Sequence, residues 1–317
     1  MLKTAFVFPG QGSQYVGMGK ELAENFSSAK KVFSTASELL GYDLQDICFN
    51  GPEDKLRETV VTQPAVLTTS IACLEVLKEY GITADVVAGL SLGEYSALVA
   101  ADSIKFEDAI PLVEKRGKFM QEAVPLGKGS MAAVIGLNKD QIIEVCQKAS
   151  EDGIVEPANF NCPGQIVIAG ETSAVKKALT LAKEKGARKV VELPVSAPFH
   201  TSLLKPAGEK LAVELNKTEL NDANIPVISN VNADYVYKAS DIKNSLIKQV
   251  SSSVLWEDTI RKMIEDGVEL FIEIGPGKTL SGFIKKIDKK IKVLNLEDLK
   301  SLKKIQCYIR EENQWEN

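Results

Sequence analysis

The stretch that most constrains this chain runs from Asp85 to Ala101. Asp85 to Ala88 is short and apolar, as a buried strand is. Gly89-Leu90-Ser91-Leu92-Gly93 follows, a G-x-S-x-G, and Glu94 to Ala101 continues as a helix with no breaker. Strand, sharp turn and helix are the setting of a nucleophile elbow. Two glycines remove Cβ atoms where chain segments crowd such a turn. Ser91 then sits on the turn with its Oγ exposed, and the first free N–H groups of the helix lie beneath it, able to stabilise an oxyanion. The same letters also fit a plain strand–helix connection whose serine is only a cap.

His200 is the single histidine, so Ser–His chemistry has one available base. It ends Ser196-Ala-Pro-Phe-His200, a proline-containing loop after the apolar run Val190–Val195, and loops at strand ends are where sites are built. Arg116 lies on a helix expected over Phe106–Ala123. Periodicity alone makes it a solvated arginine on an amphipathic face. The Gly-rich loop Pro9–Gln14 lacks the third glycine of a dinucleotide site, and Gly19-Lys20-Glu21 fails the P-loop pattern. What remains is exposed backbone N–H beside a strand end, suited to an oxyanion or a phosphate.

The 317 residues carry a net charge of −5, which argues against a nucleic-acid binder. Five scattered cysteines, with no C-x-x-C, fit no metal site and suit a reduced, cytoplasmic protein. Pro9-Gly10 ends the N-terminal apolar run too early for a signal peptide, and no stretch approaches the ~18 apolar residues of a membrane helix. A helix opens at Gln63-Pro64 and stops at Gly81.

Strands alternating with helices imply an α/β fold with a mostly parallel, doubly wound sheet. After Pro125–Gly129 the order changes to strand 130–137, helix 139–150, strand 155–160, strand 165–169, helix 172–185 and strand 189–195. This is the ferredoxin-like β-α-β-β-α-β order. The expected division is a large domain of residues 1–127 and 197–300, an insert of residues 128–196, and a polar C-terminal tail from 301 to 317, of which 306–317 form a surface helix or a frayed end.

Taken together, the motifs resemble the malonyl-CoA:acyl carrier protein transacylase family of bacterial fatty-acid synthesis, over nearly the full length. They are Phe8-Pro-Gly-Gln-Gly-Ser-Gln14, Thr62-Gln-Pro64, Gly89-Leu-Ser-Leu-Gly-Glu-Tyr-Ser96, Lys115-Arg-Gly117, Ala158-Asn-Phe-Asn161, Pro163-Gly-Gln165, Ser196-Ala-Pro-Phe-His200, Gln249 before Ser251, and Glu273-Ile-Gly-Pro-Gly277. The resemblance implies an α/β-hydrolase-like core with a ferredoxin-like insert. It makes Ser91 the nucleophile, His200 its base, and the backbone N–H groups of Gln11 and Leu92 the oxyanion hole. Arg116 would bind the malonyl carboxylate, with Gln63, Asn159 and Asn161 also at the substrate.

Asp102, Asp108, Glu144, Asp152 and Glu192 lie between Ser91 and His200, but none of them sits in a recognisable motif, and the resemblance gives the His-orienting role to the backbone carbonyl of Gln249. Leu90 and Phe199 depart from residues common elsewhere in the family, histidine and serine respectively. The resemblance implies that a phenylalanine at position 199 goes with malonyl over branched units. The implied partners are malonyl-CoA and acyl carrier protein, with no cofactor, no metal, no nucleic acid and no membrane, and a monomeric state. Lys183, Lys185, Arg188 and Lys189, or Lys285, Lys286, Lys289 and Lys290, are candidates for steering an acidic carrier. A serine thioesterase, a non-catalytic carrier-binding module and malonyl loading for a polyketide synthase are the rival readings.

Overall fold

The computed structural model describes residues 2–195 and 197–315. Ser196, the first residue of the histidine loop motif, lies outside them. Two sheets organise the chain. The first contains β1 (Thr4–Phe8), β2 (Val86–Gly89), β7 (Val227–Ile228), β8 (Tyr235–Val236), β9 (Leu270–Ile274) and β10 (Lys292–Leu296). Its strand order is β10-β9-β1-β2-β7-β8, parallel throughout except for the final β7–β8 pair. The central strands β1, β2 and β9 are buried along their whole length, which is why they read as unbroken apolar runs without alternation.

The second sheet contains β3 (Gly129–Ile135), β4 (Val155–Cys162), β5 (Gln165–Glu171) and β6 (Lys189–Glu192), in the order β4-β5-β3-β6 and antiparallel throughout. The helices Lys139–Ala149 and Thr172–Glu184 pack on it around their own apolar cluster, which includes Val134, Ile142, Val145, Ile168 and Val175. The sheet order is that of a ferredoxin-like unit.

The helix Thr59–Lys78 departs from the sequence reading in two ways. It starts before Gln63-Pro64, so Pro64 is inside the helix and not in its first turn. It is also, among the described residues, the one helix long and apolar enough to cross a membrane by length and composition, which the count of strictly apolar residues missed. Threonine, serine and glutamine raise its length without adding charge, and 89% of that window is buried within the protein. It packs between the helices Ser27–Leu40 and Phe106–Glu122, and a helix covered on all sides has no polar face to show.

The C-terminal end differs as well. β10 was not expected in the Lys-rich stretch after Ile287, since only Val293, Leu294 and Leu296 mark it. The helix Leu299–Trp315 covers it, and Leu302 and Ile305 join the main apolar core. Residues 301–312 thus belong to a docked helix, the helical one of the two alternatives expected for this end.

The elbow depends on glycine at both ends. A Cβ on Gly89 would lie 1.9 Å from the backbone of Gly93, and a Cβ on Gly93 would lie 2.1 Å from the carbonyl oxygen of Phe8. Neither neighbour is a side chain that can swing away. Gly93→Ala should therefore destabilise the protein by at least about 3 kcal/mol, measured as the urea midpoint shift against a surface alanine control. A shift within that of the control would mean that the helix can back away from β1.

Candidate active site

Ser91 stands on the three-residue turn between β2 and the helix Gly93–Ala100. Its φ is +53°, a left-handed conformation that serine adopts only when its surroundings enforce it. Asn230, just after β7, supplies the enforcement. Its Oδ1 accepts from the Ser91 N–H at 2.6 Å, and its Nδ2 donates to the Gly89 carbonyl at 2.7 Å. One side chain thus clamps both sides of the turn.

His200 also has a left-handed backbone, with φ +63°. Its Nε2 lies 2.7 Å from Ser91 Oγ, and its Nδ1 lies 2.9 Å from the carbonyl oxygen of Gln249. A carbonyl only accepts, so the ring proton belongs on Nδ1 and the Nε2 lone pair faces the serine hydroxyl. Burial, and then the nearby Arg116 charge, push the His200 pKa down to about 4. The imidazole is therefore neutral, with its lone pair free, at neutral pH.

Arg116 lies on the helix Phe106–Glu122 and is 1% exposed, in contrast to the solvated arginine that periodicity suggested. One Nη donates to Gln63 Oε1 at 2.8 Å. The other donates to Gln249 Oε1 at 2.9 Å and to Ser91 Oγ at 3.2 Å. Among the described residues no carboxylate pairs with it directly, and its Nε meets no acceptor. Burial holds its pKa below the usual guanidinium value. A buried cation surrounded by neutral oxygens, beside a serine hydroxyl, is a site prepared for an anion that arrives with a ligand.

Ser91, His200 and Arg116 line a cleft of about 470 Å³ between the two sheets. Gln11, Leu92 and Gln63 stand on its main-sheet wall, and Asn159 and Asn161 on its β4 wall. Two apart on one strand, the asparagines share a face. Among the described residues, no acceptor takes the N–H of Gln11 or of Leu92. Gln249 enters through its carbonyl and its side chain. The amide Nε2 donates to the Ser91 carbonyl at 2.9 Å and to Glu94 Oε2 at 2.8 Å. Of the acids between Ser91 and His200, Glu94 stands at the site; Glu144, by contrast, pairs with Lys148 and Lys185 on the surface.

Sequence reasoning missed Glu94 and Asn230. Glu94 was visible as the charge that follows the G-x-S-x-G inside an otherwise apolar helix. Burial raises its pKa to about 7 against the pull of Gln249, Asn230 and Arg116. Asn230 carries no such signal, because its role depends on β7 lying beside β2. Among the described residues, no three His, Cys, Asp or Glu side chains are grouped to hold a metal ion.

Comparison with known proteins yields one family model, described as acyl transferase domain, which matches residues 5–315. A malonyl CoA-acyl carrier protein transacylase of Bacillus subtilis is 50% identical over 314 residues, 99% of each chain. The crystal structure of a malonyl CoA-acyl carrier protein transacylase from Clostridium perfringens superposes with a TM-score of 0.96 at 53% identity, covering 99% of this chain and 100% of that one. A type II PKS acyl-carrier protein in complex with its malonyl-transacylase gives a TM-score of 0.93 at 44% identity, over 95% of this chain and 97% of that one.

The His200 environment makes a direct prediction. Labelling of Ser91 by a serine-directed fluorophosphonate requires the neutral imidazole, so its rate should hold from pH 7 to about pH 5 and halve near pH 4. Halving near the ordinary histidine value of about 6.5 would mean that burial and Arg116 do not act on the ring.

Proposed function

The chain belongs to the acyl transferase domain family, and on that footing we propose that it moves a malonyl group from coenzyme A to the phosphopantetheine thiol of acyl carrier protein through an ester on Ser91. The observation that carries the choice of malonyl is the buried Arg116, with an Nη 3.2 Å from the Ser91 hydroxyl. Malonyl places a free carboxylate two carbons from the thioester carbonyl. A guanidinium beside the nucleophile can hold that carboxylate while the carbonyl faces Ser91.

In the first half-reaction, Ser91 Oγ attacks the thioester carbonyl and its proton passes to His200 Nε2. The developing oxyanion takes the backbone N–H groups of Gln11 and Leu92, each worth about 10²–10³ in rate. Collapse breaks the carbon–sulfur bond, and His200 returns the proton to the departing thiolate. In the second, His200 takes the proton of the carrier thiol, the sulfur attacks the ester, and Ser91 Oγ leaves and is reprotonated. The Gln249 carbonyl fixes the imidazole but places no negative charge on it. That suits thioester exchange, in which the leaving thiolate needs little help. Gln63 holds Arg116 from below, and Asn159 and Asn161 offer amides to the acyl chain from the opposite wall.

Fatty-acid synthesis is the proposed destination. Loading of a polyketide carrier is the second reading, supported by the likeness to a transacylase solved with such a carrier. Incubation with malonyl-CoA and peptide mapping should place the added mass on Ser91. Arg116→Ala should lower malonyl kcat/KM about a hundredfold or more while sparing acetyl transfer by comparison. Acylation elsewhere, or unchanged selectivity, would overturn the assignment.

For the carrier, the 285–290 cluster is favoured. The helix Thr279–Ile287 lends Thr279, Leu280 and Phe283 to the cleft, and Lys286 Nζ reaches Gln165 Oε1 across its mouth at 2.9 Å. In the 183–189 cluster, Lys185 is already engaged by Glu144. Reversing Lys289 and Lys290 to Glu should raise the carrier KM about fivefold at low salt, and less as salt rises. An unchanged KM would remove this face as the docking site.

A further inference from the structure

Glu94 is a buried carboxylate that the reaction steps above leave unused. It is 1% exposed, three residues after Ser91 on the elbow helix. Its Oε2 accepts from Gln249 Nε2 at 2.8 Å and from the Asn230 N–H at 3.0 Å. Gln249 Nε2 also donates to the Ser91 carbonyl at 2.9 Å. Both hydrogens of that amide therefore face acceptors, and its oxygen is left to face Arg116 at 2.9 Å. Cation, amide and anion stand in line, each hydrogen bond reinforcing the next.

The arrangement answers a specific difficulty. A buried guanidinium without a counter-charge is costly. A carboxylate paired with it directly would occupy the donors that an acyl carboxylate needs. One intervening amide keeps a negative charge close and leaves those donors free.

We propose that Glu94 is a positioning residue and the resting counter-charge of Arg116, acting through the Gln249 amide, and that it loosens malonyl binding so that the acyl group can move on to the second thiol. The inference rests on Arg116 being the malonyl clamp. In the empty cleft Glu94 offsets the buried cation. Once malonyl arrives, two anions share one cation, and their repulsion weakens the hold on the substrate. Burial raises the Glu94 pKa to about 7, so this charge is removable near neutral pH. Arg116, from the helix Phe106–Glu122, and Tyr95, on the elbow helix itself, are the charged or titratable groups that act on it through space among the described residues.

Glu94→Gln keeps an oxygen for both N–H donors and removes the charge. The test compares KM for malonyl-CoA and acetyl-CoA in the wild type, Glu94→Gln and Arg116→Ala across pH. The ratio of the two KM values cancels the titration of the coenzyme phosphates. In Glu94→Gln the malonyl-to-acetyl KM ratio should fall on the order of tenfold at pH 8, as expected for two buried like charges near one cation. In the wild type the ratio should rise between about pH 6 and 8 as Glu94 ionises, and in the variant it should be flat.

An unchanged or raised ratio in Glu94→Gln, or the same pH dependence in both proteins, overturns the proposal. Should the variant not fold, a flat ratio in the wild type overturns it alone. Selectivity that survives Arg116→Ala means the clamp assignment itself is wrong. Selectivity lost in Arg116→Ala, with Glu94→Gln behaving as wild type, overturns only the role of Glu94.

Discussion

The close approach of the elbow helix to β1, backbone against backbone, sets where every other group in the cleft can stand. Gly93 lies where any Cβ would strike the Phe8 carbonyl, and a Cβ on Gly10 would stand 2.4 Å from the carbonyl oxygen of Leu90. The loop after β1 and the turn after β2 are therefore interlocked. Both leave the parallel sheet at the carboxyl ends of adjacent strands, the edge at which open α/β sheets place their ligands. The Gln11 and Leu92 N–H groups are brought to one cleft by this crossing. Asn230 then fixes the one conformation of Ser91 that turns its Oγ outward.

Electrostatics explains why a carbonyl can stand where hydrolases place a carboxylate. Arg116 is a permanent positive charge beside both Ser91 and His200, and it depresses the imidazole pKa. A carboxylate on His200 Nδ1 would oppose that depression and compete with malonyl for the same field. The neutral Gln249 carbonyl fixes the tautomer without doing either. Glu94, a buried acid nearby, is turned to the Gln249 side chain. The site thus gives up some stabilisation of the imidazolium and keeps its anion-binding cation undisturbed, a choice compatible with a thiolate leaving group.

How much of this was legible in the sequence follows from the range of the interactions. The elbow was readable because its strand, glycines and helix are contiguous and each obeys local sterics. The β-α-β-β-α-β order of residues 129–192 was readable because its helices are amphipathic, with Ile142, Val145, Ala149 and then Ala174, Val175, Ala178 at helical spacing. Arg116 was read as solvated because helix periodicity cannot tell a polar face turned to water from one turned to a lined cleft. The helix Thr59–Lys78 lost its true start because a central helix buried all round has no stripe to mark its register. β10 and Asn230 were invisible for a shared reason: each depends on a neighbour brought in by topology, β9 in one case and β2 in the other.

The second sheet does more than wall the cleft, because it presents the base. His200 is reached just after the chain leaves that sheet, and two contacts bracket it. Gly129, the first residue of β3, has no room for a Cβ because Pro198 packs against it at 2.4 Å from that position. On the other side, Glu156 of β4 accepts from both the N–H and the hydroxyl of Ser202, each at 2.7 Å. The strained φ of His200 is held between these two points, as the φ of Ser91 is held by Asn230. A third contact, the ladder of Phe160 N–H to Val254 carbonyl and Val254 N–H to Ala158 carbonyl, each 2.9 Å, ties β4 to the segment that follows Gln249. Imidazole and the carbonyl that orients it are thus referred to the same strand, so the 2.7 Å reach from Nε2 to Ser91 Oγ is fixed by how the two sheets dock. A movement that drew β4 away from β2 would lengthen that reach and cost the hydrogen bond, so this pair of residues calls for a braced wall.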